Sequence, residues 1–320
     1  MKLLVNILPN NDNSLRWGVV AITIVISKLL TLFGIYVVGD YGIALFILTP
    51  FFIGACPTIL FGLKKKQITK REAWQIGILT LLVFTVGLML FAIEGLICIV
   101  MAAPIAILFT WLGSLIGYVI INKRINSSAI IILILFGVIP TTAFVEKDFK
   151  PELTSVVTTI EIRADLQAVW KNVVEFPELE APNEFIFKTG IAYPINAKIE
   201  GAGVGAIRHC NFTTGSFVEP ITVWNKPLLL KFDVLEQPAP MKEISFWDID
   251  APHLHDYFVS KKGQFKLTQL PNGNTLLEGT TWYYHNIKPV FYWKSWSDYI
   301  IHKIHNRVLN HIKQNSENEK

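Results

Sequence analysis

Near the end of the chain, Asp298, His302 and His305 follow one another at intervals of four and three residues. On a helix this spacing sets all three side chains along one narrow stripe. A carboxylate and two imidazoles so placed suit a metal such as zinc, or an acid/base pair. They also suit a hydrogen-bonded helix flank, the commoner reading of such a stripe, with Asp298 supporting His302 one turn away. A second group of donors, His253, His255 and Asp256, follows Ala251-Pro252, a context that reads only as loop. Arg208-His209 is the adjacent basic pair on an expected strand. One of the two either orients a ligand carboxylate or phosphate inside a cavity or faces solvent.

Other familiar chemistry is missing. Gly201, Gly203 and Gly205 imitate a phosphate loop, but no helix follows them, so they read as a turn or bulge. There is no nucleophile elbow, Walker motif or catalytic cysteine context. Cys56, Cys98 and Cys210 are too scattered for a disulfide framework or a zinc site. A net charge of +4 without a long basic tract argues against a nucleic-acid partner.

The elements that must position these residues can be read from periodicity. Val156–Arg163 alternates as a half-buried strand, and Asp165 caps an amphipathic helix carrying Leu166, Val169, Trp170, Val173 and Val174. Phe176-Pro177 ends it. Strands are expected at Ala206–Thr213, Phe217–Trp224, Leu228–Glu236, Gly263–Leu270 and Thr275–His285, with a tight turn at Gly215-Ser216. Asn272-Gly273 centres a hairpin turn. After Pro289 an amphipathic helix of about two dozen residues carries Trp293, Trp296, Ile300, Ile304 and Val308 on one face. Strands joined by hairpins form an antiparallel sheet with helices on one face. A sheet curved around one long helix leaves an apolar cavity, the usual form of a small-molecule site.

The opening VVTTIEIRADLQAVWKNVVEFPEL and the closing LEGTTWYYHNIKPVFYWKSWSDYIIHKIHNRVLNHIK resemble the START-like superfamily known as SRPBCC. That superfamily includes polyketide cyclases and lipid-transfer domains. The resemblance covers about residues 155–313. It implies a helix-grip α+β fold, an antiparallel sheet wrapped on a long C-terminal helix, and says little of activity. The residues expected at the cavity are Trp170, His209, Phe232, Trp282, Tyr284, Trp296, Ile300 and Ile304. Strand alternation sends either Trp282 and Tyr284 or Tyr283 and His285 inward, and leaves the choice open. Trp224, Phe246, Trp247 and Trp293 are further aromatics for a greasy wall or for plain core. Trp293 and Trp296 would also suit an aromatic belt at a bilayer surface.

The first half has a different character. The chain is 52% hydrophobic and 17% charged, with a mean hydropathy of +0.42, too apolar for an ordinary soluble protein. Most of that excess precedes Val145. Apolar stretches occupy Trp17–Val38, Tyr41–Leu63, Trp74–Ile121 and Ser128–Val145. A crossing takes about 20 residues, so the third stretch folds as a hairpin, turning near Glu94-Gly95 or later toward Pro104. A membrane α-helical bundle of about five spans is expected over residues 1–147, an α+β domain over 151–314, and a disordered tail over 315–320. The first run lacks a small-residue cleavage site and reads as an anchor rather than a signal peptide.

Lys64, Lys65, Lys66, Lys70 and Arg71, with Lys123 and Arg124, mark the cytoplasmic loops; Lys2 and Arg16 add to that side. Asp40 and Glu94 mark the opposite turns. An odd count then sets the second half outside the cytoplasm, at the cell membrane. Lys28, inside the first run, either lines a cavity or snorkels to the surface. Gly54, Ala55, Gly87, Ala102, Ala103, Gly113 and Gly117 suit close helix packing. The expected partners are the lipid bilayer and an apolar small molecule or lipid; the oligomeric state is open. Three functions fit: a membrane-anchored binder of a hydrophobic ligand, a cyclase- or hydrolase-type enzyme using the Asp/His cluster, or a protein-interaction module.

Overall fold

A computed structural model describes residues 8–123 and 128–318. Lys2, Arg124 and the last two residues of the expected tail lie outside the described residues. The chain divides into two units. The first is Met1–Lys150 with Glu243–Pro252 and Ile287–Pro289; the second is Pro151–Lys242, His253–Asn286 and Val290–Lys320.

The first unit is helical. Helix α1 (Asp12–Leu32) runs on into a π-helical segment, Phe33–Val38, and a second one, Ala44–Leu48, leads into α2 (Thr49–Lys65). Then come α3 (Lys70–Leu90), α4 (Leu96–Asn122) and α5 (Ser128–Glu146). Asn11 caps α1 through its side-chain oxygen, and Thr69 with Glu72 closes a capping box on α3. Among the described residues, four helices are long and apolar enough to cross a membrane: Asp12–Val38, Ala44–Lys65, Lys70–Leu90 and Leu96–Asn122. The apolar α5 is shorter. Of the two turn positions the sequence offers, the earlier is used, because α4 continues through Pro104.

Small residues let the helices meet backbone to backbone. A Cβ on Gly54 would lie 2.0 Å from the Thr110 carbonyl oxygen, and one on Gly113 would lie 2.0 Å from that of Phe51. Such contacts between α2 and α4 are the packing expected of small residues on apolar helices. The Lys28 ammonium lies 3.9 Å from the centroid of Phe91, just past the end of α3.

Acidic residues gather at one end of this unit. The Glu146 carboxylate accepts the backbone N–H groups of Ile43 (3.1 Å) and Ala44 (3.2 Å), where the second apolar helix begins. Tyr41 donates its hydroxyl to Glu94 at 3.2 Å. Lys288 Nζ donates to the Glu146 carbonyl (2.5 Å) and lies 3.8 Å from Asp40. Burial, opposed by Lys288 and aided by Glu146, raises the Asp40 carboxyl to about 6. Burial raises that of Glu94 to about 8, against the Tyr41 hydrogen bond and with help from Glu243.

The second unit is α+β. Strand β1 (Thr154–Ile162) leads to α6 (Leu166–Val174), capped by Asp165. There follow β2 (Pro194–Glu200), β3 (Ile207–Phe212), β4 (Gly215–Asn225), β5 (Leu229–Asp233), β6 (Phe258–Gln269), β7 (Thr275–His285) and the long α7 (Val290–Asn318). All pairings are antiparallel, in the order β1-β7-β6-β5-β4-β3-β2. Helix α7 touches both edges of this sheet: His302 and His305 reach Thr158 on β1, and Arg307 Nε donates to the Pro194 carbonyl on β2 at 3.2 Å. A seven-stranded sheet meets one helix along both edges only by curling around it.

Several sequence expectations shift. The tight turn expected at Gly215-Ser216 lies at 213–214, and Gly215 and Ser216 pair with Phe212 and Asn211 as the start of β4. Strand β2 is new, because its apolar and polar residues alternate too weakly to stand out. Strand β6 starts at Phe258 rather than Gly263, a register shift between Ser260 and Lys262 having broken the alternation there. Helix α7 runs through Asn318, so 315–318 is helix and not tail. Ser316 is buried and accepts from Asn172 (3.2 Å), and Glu317 accepts the Arg163 backbone N–H (2.9 Å).

Candidate functional site

Between the curled sheet and α7 lies a cavity of about 140 Å³. Its walls are apolar: Phe212, Phe217, Phe232 and Phe265 from the strands, Ile300 and Ile304 from the helix. The aromatics come from consecutive strands because alternation points every second residue inward. Two glycines lie opposite the rings. Gly263 pairs with Phe232 across β5 and β6, and Gly279 pairs with Phe265 across β6 and β7. A Cβ on Gly263 would lie 2.5 Å from the Phe232 ring, so that ring rests on bare backbone.

The cavity also has a charged group in its wall. Arg208 and Glu219 face each other in the β3–β4 register, and Arg208 Nη1 donates to the Glu219 carboxylate. Arg208 is only 2% exposed. Its guanidinium lies 5.5–5.6 Å from the ring centroids of Phe176, Phe232 and Phe265, and its Nε donates to the Val174 carbonyl at 3.3 Å. Burial raises the Glu219 carboxyl while Arg208 pulls it down. Burial also lifts the neighbouring Cys210 thiol to about 12, which keeps it from acting as a thiolate.

The histidines meet on threonine hydroxyls. His305 Nδ1 lies 3.0 Å from Thr158 Oγ1, and its Nε2 lies 2.8 Å from Thr281 Oγ1. His302 Nδ1 lies 2.8 Å from the same Thr158 oxygen. Burial, with His302 beside it, lowers His305 to about 4. Asp298 turns elsewhere: it accepts from Tyr283 at 2.6 Å and from Lys294. The stripe read in the sequence therefore splits into an Asp298–Tyr283–Lys294 group and a His302–Thr158–His305 group. Burial, then Asp298, raises the Tyr283 hydroxyl.

Of the residues expected at a ligand site, Phe232, Ile300 and Ile304 line this cavity, as does His305 of the Asp/His cluster. The rest lie elsewhere. Trp170 packs edge-on to Trp224 at 5.6 Å in the core. His209 lies 3.9 Å from Glu200, across the strand from Arg208. On β7 the buried pair is Tyr283 and His285, while Trp282 and Tyr284 take the other face. Trp296 is half-buried outside the cavity lining. His253 is buried, and burial followed by His255 lowers it to about 4. Arg208 and Glu219 were missed as a pair, yet a signal was there. Arg208, Cys210 and Phe212 alternate on one face, and the turn at 213–214 sets Glu219 opposite Arg208.

No family model matches the sequence, and no curated protein matches it. Solved structures similar to the second unit include a protein of Nitrosospira multiformis, 15% identical, covering 52% of this chain and 100% of that one at a TM-score of 0.34. Norcoclaurine synthase from Thalictrum flavum, in complex with dopamine and hydroxybenzaldehyde, is 14% identical over 53% of this chain and 90% of its own, at 0.35. The Aha1 dimer from Colwellia psychrerythraea is 15% identical over 51% and 96%, at 0.30. Likeness at this level says nothing of ligand or activity. The sheet curled on a long C-terminal helix is nonetheless the helix-grip arrangement that the two end segments imply.

Proposed function

We propose that this protein is a membrane-anchored binder of a small apolar molecule, held between the curled sheet and α7. The observation that carries the reading is the cavity with aromatic and aliphatic walls and a buried Arg–Glu pair. Its size limits the ligand. An apolar cavity of roughly 150 Å³ takes a molecule the size of benzene, so the present one suits a ring-sized body rather than a whole diacyl lipid. Arg208 and Glu219 pair with each other, and a ligand with a polar group would gain by adding a hydrogen bond to the further donors and acceptors of that pair.

The expected affinity is modest. Burying about 150 Å² of apolar surface contributes roughly 4 kcal/mol before association costs. The apolar helices would hold the site beside a bilayer, where such molecules concentrate. With the basic loops inside, the acidic end of the helices and the second unit face the outside. What speaks against acid/base chemistry by Asp298, His302 and His305 acting together is that His305 lines the cavity while Asp298 and His302 do not.

Thermal unfolding of the full chain tests this against a panel of ring-sized apolar molecules, each with and without a hydroxyl or carboxyl group. Stabilisation that rises with concentration, larger for the polar-ended members, is expected. No stabilisation by any member would overturn the reading.

A further inference from the structure

Residues 243–252 lie between β5 and β6 in the chain but belong to the first unit. Their hold on that unit is specific. Gly95, the N-cap of α4, brings no side chain of its own, and Glu243 takes the place of one. The Glu243 carboxylate accepts the backbone N–H groups of Ile97 and Cys98, and the Cys98 thiol donates to it at 2.6 Å. The fit is tight, since a Cβ on Gly95 would lie 2.0 Å from Glu243 Oε2. One residue on, the Ile244 carbonyl accepts the Leu96 backbone N–H at 3.0 Å. The segment is thus fastened to the first turn of an apolar helix.

Beyond that clamp its apolar side chains have no cover. Phe246 is 83% exposed and Trp247 57%, and Ile244 is exposed beside them. The helix ends at the clamp share this character: Leu90, Phe91, Leu96 and Val100 are all exposed. Leu96 and Val100 lie one turn apart, so the outward apolar stripe of α4 begins where the segment is held.

We infer that residues 244–247 rest in the membrane interface, with Phe246 and Trp247 at headgroup level as an anchor additional to the helices. This rests on the membrane reading above. The occupant is a lipid surface because the patch continues the outward stripe of α4 at its end. Aromatic rings, and tryptophan above all, suit that layer. Asp248 and Asp250 follow at once. Carboxylates are costly in hydrocarbon, so they hold the segment at the boundary rather than below it.

The test uses the full chain in lipid vesicles with Phe246→Cys carrying a fluorescent label. The unsubstituted chain serves as the labelling blank, and Trp247→Cys serves as the second site should the first fail to fold. Nitroxide lipids should quench the label at a depth of about 5–10 Å into the headgroup–acyl boundary, with matching protection from aqueous iodide. Full iodide quenching without lipid quenching would overturn the inference, as would shielding from both, which would mean a protein partner. A label at Val100→Cys separates the two claims. If lipid quenches Val100 but not position 246, the anchor alone fails; if it quenches neither, the membrane reading fails with it.

Discussion

Arg208 and Glu219 form a buried ion pair in the second unit. Removing one partner of a buried ion pair leaves the other charge without compensation, at a cost of about 3–5 kcal/mol. Arg208→Met should therefore destabilise the second unit by that much in denaturant unfolding. The double variant Arg208→Met/Glu219→Leu should recover most of the loss. Equal losses in the single and double variants would show that the pair acts by packing rather than charge. His305 makes a pH prediction. Unfolded, a histidine takes its proton near 6.5, but folded His305 takes it only near 4. Between those values the unfolded state binds more protons, so stability falls as pH drops from about 6.5 toward about 4. His253 acts in the same direction. Replacing His305 with Gln should flatten this slope by on the order of 1 kcal/mol in unfolding measured at pH 5 and pH 7. At this scale the sequence showed which donors share a helix stripe but not where they point. Thr158 comes from the first strand of the unit and Thr281 from the last, and only folding brings both to His305.

At the scale of elements, the cavity depends on the strand glycine Gly263 and one helix face. Gly263→Ala would drive a methyl into the Phe232 ring and should cost about 1–3 kcal/mol. Gly279→Ala meets Leu309 and Phe265 only at 3.6–3.8 Å, an ordinary contact, and should be nearly neutral in the same unfolding assay. Equal effects would contradict the view that Phe232 rests on the Gly263 backbone. Strong alternation, the Asn272-Gly273 turn and the long amphipathic run after Pro289 made most strands and α7 legible in the sequence. What was lost was lost for local physical reasons: β2 carries little hydrophobic contrast, and the register shift at Ser260–Lys262 cuts the alternation of β6. The inward face of β7 stayed open because Trp282, Tyr283 and Tyr284 are all aromatic. Burial of Tyr283 beside Asp298, on α7, decides it.

At the scale of the molecule, hydropathy alone separates an apolar helical half from an α+β half. It could not show that residues 243–252 and 287–289 belong with the helices, because those memberships rest on contacts such as Glu243 with Cys98 and Lys288 with Glu146. The proposed topology makes a direct prediction. In sealed, right-side-out vesicles, added protease should remove the second unit and leave the Lys64–Lys66 loop uncut; the reverse pattern would invert the orientation. The central claim is that the second unit holds a small apolar molecule against α7. Equilibrium titration of an environment-sensitive, ring-sized apolar probe into the full chain and into Ile304→Trp, which fills the cavity, tests it most directly. Titrating both in identical nanodiscs cancels partitioning into lipid. The account predicts saturable one-to-one binding that weakens at least about tenfold in the variant, with its thermal unfolding unchanged. Equal binding by the two proteins would contradict it.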